Sequence, residues 1–142
     1  MMGLVLDLHA ASTLAMCGLI WFVQVVHYPL FAGVDGGDFA KYEARHQART
    51  TLVVGPLMLV EAATAAIIVV RHPSALSMIG AVCVVLLWLS TGLIQVPLHR
   101  ALSNGFNTRA HRRLVGTNWL RTALWSMRSV IALALLPVGS GA

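Results

Sequence analysis

The chain has 142 residues, of which 58% are hydrophobic and 11% charged. An ordinary soluble domain is about 25% charged, and this length holds four apolar stretches of about 20 residues with no room for a separate soluble domain. The net charge of +5 sits mainly in the connections between those stretches, so it speaks for membrane topology and against nucleic acid as a partner.

The first apolar stretch predicts a membrane helix over residues 4–28, which Pro29 bends or ends. Its start carries Asp7 and no Lys or Arg, unlike a signal peptide, so it reads as an uncleaved first span. Gly33, Asp35, Gly36 and Gly37 form a turn cluster, and Asp38 is the expected cap of a polar amphipathic piece, FAKYEARHQART. That piece leads into a second span over 51–70, with a kink expected at Gly55-Pro56. Arg71-His72-Pro73-Ser74 reads as a tight turn and is followed by a third span over 75–96, with Pro97 at its end. Ser103-Asn104-Gly105 turns the chain again. Asn107 or Thr108 caps a fourth helix over 110–136. The expected fold is an all-α integral membrane four-helix bundle, a single domain spanning 1–142. Cys17 and Cys83 lie in different apolar runs, form no CxxC pair and read as small buried side chains.

Basic residues set the expected orientation. Lys41, Arg45 and Arg49 follow the first span, and Arg100, Arg109, Arg112 and Arg113 follow the third. Only Arg71 lies in the second connection. Loops 1 and 3 are therefore expected in the cytoplasm, with loop 2 and both termini outside, in an inner membrane crossed several times. The two halves also echo each other. Trp21, Gln24, His27 and Pro29 close the first helix, and Trp88, Gln95, Pro97 and His99 close the third. Two readings stay open: an old duplication of a helical hairpin, or one set of membrane-boundary rules obeyed twice.

Each helix carries one polar stripe. The stripes are Thr13, Cys17, Gln24 and His27; then Glu43, His46, Thr50, Glu61 and Thr64; then Trp88, Thr91, Gln95 and His99; and finally His111, Asn118, Arg121, Trp125 and Arg128. Four such stripes fit a bundle with a polar interior open toward the cytoplasm. Glu61 and Arg128 both fall roughly 15 Å deep, where each alone would cost about 3 kcal/mol, so they are expected to pair. That pair reads either as a structural salt bridge or as a group that handles substrate or protons. His27, His46, His99 and His111 all lie near the cytoplasmic boundary, and Glu43-x-x-His46 has the spacing of bundle metal sites. Hydrogen bonding at the boundary is the favoured reading of these histidines. Ligation of a metal or haem by them and Glu43 comes second, which leaves the cofactor open. His9 and His72 lie at the opposite end. Trp21, Trp88, Trp119 and Tyr28 read as interface anchors, whereas Trp125 lies deeper, where it stacks on a guanidinium or walls a flat ligand.

Asn118-Trp119-Leu120-Arg121-Thr122 opens the last helix of a short four-span chain. In this the chain resembles the anthrone-oxygenase-like membrane proteins. The resemblance implies a small membrane enzyme that oxidises a flat aromatic substrate with oxygen, with Asn118 and Arg121 carried over. The residues lead to a related expectation, a cavity for a small apolar or aromatic molecule. Arg121, Arg128 and Asn118 would hold an oxygen atom there, helped by Gln24, Gln95 and Trp125. Glu61, His46 or His111 would move protons. The alternative is a non-catalytic subunit of a larger membrane complex, or of a homo-oligomer, docked through the basic loops.

Overall fold

The computed structural model describes residues 1–136, and among these it contains helices, turns and no strand. Residues 137–142, on which the expected placement of the C-terminus falls, lie outside the described residues. Four helical rods follow one another: α1 Met2–Gly33, α2 Phe39–Arg71, α3 Ala75–Leu102 and α4 Thr108–Leu135. The first three are long and apolar enough to cross a membrane. The fourth is of similar length but is not among them. Arg109, Arg112, Arg113 and Arg121 in its first half, and Arg128 in its second, break up its apolar run.

Pro29, expected to bend or end its helix, and Pro97, expected at the end of its own, both lie inside helices that continue. Proline lacks an N–H, and its ring crowds the carbonyl four residues back. Here a wider π turn absorbs that crowding just before each boundary proline: Val23–His27 before Pro29 and Thr91–Gln95 before Pro97. The first helix therefore runs on to Gly33, and the third to Leu102. The amphipathic piece before residue 51 is also not separate, since α2 is continuous from Phe39 through Pro56. Asp38 occupies the cap position without a side-chain bond, whereas Asn107 accepts from the Ala110 N–H at 2.9 Å. Ser74, read as part of a turn, forms a reciprocal capping box with Ser77 that starts α3.

Each helix packs on its neighbour in the chain, and α4 returns to α1, closing a ring. Met16, Ile20, Leu87, Leu114 and Trp125 fill the centre. Leu4, Leu52, Val70, Leu93 and Val130 cover the outside, an apolar surface suited to lipid contact. The α3–α4 seam is tight at Gly80, where an added Cβ would meet Ile131 Cγ2 at 3.4 Å. The missing side chain brings the Gly80 carbonyl within 2.6 Å of Arg128 Nη1.

Candidate functional site

Two polar centres lie inside the ring, at different depths. The deeper one is built on Arg128. Its Nη2 donates to Glu61 Oε1 at 3.2 Å and to Thr13 Oγ1 at 3.5 Å, and its Nη1 to Gly80 O. One α4 side chain thus ties α1, α2 and α3 together. The second oxygen of Glu61 accepts from the Trp125 indole N–H at 2.9 Å. Arg128 and Glu61 are 1% and 2% exposed. Every polar group of the pair has a protein partner, as a buried ion pair requires. The pair has the geometry of a structural salt bridge, one of the two readings that its depth left open.

The second centre surrounds a cavity of about 300 Å³ between α2 and α3, lined by Tyr28, His46, Thr91, Gln95, His99 and Arg121 among others. Three helices supply one chain of hydrogen bonds along its wall. Glu43 of α2 meets His99 Nδ1 of α3 at 2.5 Å, and His99 Nε2 meets the Tyr28 hydroxyl of α1 at 2.9 Å. A carboxylate only accepts, so His99 Nδ1 carries the proton and donates it. Nε2 is then the acceptor, and the phenol donates to it. Gln47 braces Glu43 at 3.1 Å and Ser103 at 2.7 Å. Glu43 is fully buried, and its Oε2 has no partner among the described residues.

Arg121 reaches the same cavity from α4. Its position is built from α1. Gln24 accepts from Asn118 Nδ2 at 2.9 Å, and Asn118 Oδ1 accepts from Arg121 Nη1 at 3.0 Å. The Trp125 ring lies 5.1 Å from the guanidinium carbon, a cation–π contact. Gln95 donates to Thr117 at 3.1 Å. Gln95 Oε1 and Arg121 Nε are buried and have no partner among the described residues, and both residues line the cavity. Gln95, Arg121 and the relayed Tyr28 thus meet in one cavity wall. Thr51, Trp88 and Val96 stand exposed at its rim, so it opens sideways between α2 and α3 rather than at the loop end.

The expected histidine cluster is only partly assembled. His27 Nε2 lies 2.8 Å from His46 Nδ1, and the His46 and His99 rings are 5.5 Å apart. His111 faces elsewhere. Its Nε2 donates to the Tyr28 carbonyl at 2.7 Å, which anchors the end of α1, and it does not line the cavity. His27, His46, His99 and Glu43 bond to one another or to neighbours instead of converging. Among the described residues no three His, Cys, Asp or Glu side chains form a group that could hold a metal ion. Both nitrogens of His99 are occupied, which suits a proton relay better than a ligand. At the far end, buried His9 bonds Thr64 at 2.8 Å.

Sequence reasoning missed Tyr28, Gln47 and Ser103. Tyr28 was expected at the lipid interface, yet it is 4% exposed. It follows Gln24 by four residues, one helical turn, so it shares the inward stripe. Trp125 supports Arg121 from behind and is not a wall of the cavity. No family model matches the chain, and no curated protein or solved structure matches it either.

Proposed function

We propose that this chain is a membrane enzyme that removes a proton from a small apolar or aromatic molecule carrying a carbonyl or phenolic oxygen. One observation carries the reading. The Glu43–His99–Tyr28 relay ends at a cavity wall beside a buried, incompletely paired arginine. Glu43 orients the imidazole, His99 takes the phenol proton, and Tyr28 in turn takes the proton of the substrate. Arg121 and Gln95 then face the oxygen on which charge develops. A cavity of about 300 Å³ matches a ligand of two or three fused rings. Its sideways mouth favours a substrate that arrives dissolved in the bilayer.

In this reading all four helices cross an inner membrane, with loops 1 and 3 in the cytoplasm and the N-terminus outside. Arg121 and Arg128 face inward, which lets α4 join the other three despite its charges. The π turn followed by X-Pro in both α1 and α3 supports a duplicated hairpin.

The oxygenase chemistry implied by the resemblance needs no resident cofactor. Proton loss leaves an electron pair on the ring carbon, and dioxygen takes it up as a new C–O bond. Loss of water from the resulting hydroperoxide leaves a second carbonyl. Anthrone is the probe. Protein in mild detergent is expected to consume one dioxygen per anthrone, and Arg121→Gln to lose most of that rate. If the wild-type protein neither binds anthrone nor speeds its oxidation over empty micelles, the reading fails. A subunit role is favoured if substitutions at Tyr28 and His99 alter nothing in cells.

A further inference from the structure

A second cleft lies on the other side of α2. It measures about 560 Å³, runs between α1 and α2, and is lined by Leu19, Phe22, Tyr42, Arg45, Arg49 and Val53 among others. Its two ends differ in chemistry. Leu19, Phe22 and Val53 make an apolar floor, with Phe22 and Val53 continuing onto the exposed flank of the bundle. Arg45 and Arg49 stand one turn apart at the polar end, on a stripe that Lys41 extends by another turn. All three are exposed. The ion pairs among the described residues join Glu43 to His99 and Glu61 to Arg128, so no carboxylate neutralises this stripe. Arg45 lies eight residues before Val53, about 12 Å along the axis. Unneutralised cations therefore sit at the loop end of a groove whose deeper part is apolar.

We infer that the cleft holds one anionic phospholipid of the surrounding bilayer. Its phosphate rests on Arg45 and Arg49, and an acyl chain lies against Leu19, Phe22 and Val53. A free anion would make no use of the apolar floor, and a neutral lipid would leave the arginines uncompensated. The inference requires the chain to lie in a bilayer. It does not require the proton chemistry proposed for the other cavity.

Native mass spectrometry of the full chain tests it, with micelles doped equally with phosphatidylglycerol and phosphatidylcholine. Wild type is expected to retain one phosphatidylglycerol with a preference of about fivefold or more. The pair Arg45→Gln/Arg49→Gln is expected to lose that preference. The pair Arg109→Gln/Arg112→Gln removes equal charge at the same end of the bundle, outside the cleft, and is expected to keep it. Val53→Trp, which fills the floor and leaves both arginines, is expected to lose the bound lipid. The inference is overturned if wild type shows no preference, if both arginine pairs behave alike, or if inorganic phosphate alone displaces the lipid. Retention of a protein in place of the lipid, lost with Arg45 and Arg49, would overturn it too.

Discussion

Tyr28 shows how much one side chain's direction decides. A tyrosine near a helix end is ordinarily an interface anchor, with its ring in the headgroup layer. Here it turns inward and completes a carboxylate–imidazole–phenol relay, and the rest of the site follows from that. Glu43→Gln keeps the shape but removes the charge that fixes the His99 tautomer. Anthrone oxidation is expected to fall on the order of 10²-fold or more, with binding little changed. Initial rates together with equilibrium binding of anthrone separate the two effects. Arg121 makes the complementary case. Its cation–π partner Trp125 does not line the cavity, so Trp125→Leu reaches a ligand there through Arg121's position, and it also removes the indole donor to Glu61. That variant is expected to weaken anthrone binding about tenfold or less, a modest loss read by the same titration. The polar stripes made Gln24, Asn118 and Arg121 legible as inward-facing residues. Spacing along single helices could not say that they join end to end across α1 and α4, because that depends on which helices are neighbours.

At the scale of the helices, the positions of the turns and the apolar runs were readable. The effect of proline was not. Pro29 looked like a bend or a stop and Pro97 like a stop, but each is accommodated by a preceding π turn, so the helices continue. The extension matters for the site: it carries Tyr28 and His99 on helical backbone into the bundle instead of leaving them in loops. In the same way α2 begins twelve residues earlier than the apolar run at residue 51 suggested, so Glu43, His46 and Gln47 sit on a rigid rod. Gly80 controls the seam between α3 and α4. Gly80→Val would press a branched side chain toward Ile131 and push the Gly80 carbonyl away from Arg128. A destabilisation of about 1–3 kcal/mol is expected, visible as a lower melting temperature in detergent.

At the scale of the whole molecule, the expectation that Glu61 and Arg128 face each other agrees with the geometry. What depth alone could not tell is that Gly80, Thr13 and Trp125 satisfy the pair completely. Arg128→Leu strands a buried carboxylate and is expected to cost about 3–5 kcal/mol, while Glu61→Leu/Arg128→Leu is expected to recover much of that loss. Unfolding of Arg128→Leu, Glu61→Leu and the double variant in detergent, read as a double-mutant cycle, checks it. The ring therefore separates two tasks. The deep charge pair holds four helices together, and the shallower cavity is left with polar groups not fully paired to the protein. The claim that this cavity performs proton abstraction is tested most directly without oxygen. Anthrone is incubated anaerobically with the protein in deuterated buffer, and deuterium uptake at its acidic carbon is followed by mass spectrometry. Wild type is expected to exchange well above empty micelles, and Tyr28→Phe, still folded and still binding anthrone, to exchange at the micelle rate. Equal exchange by wild type and Tyr28→Phe would contradict the account.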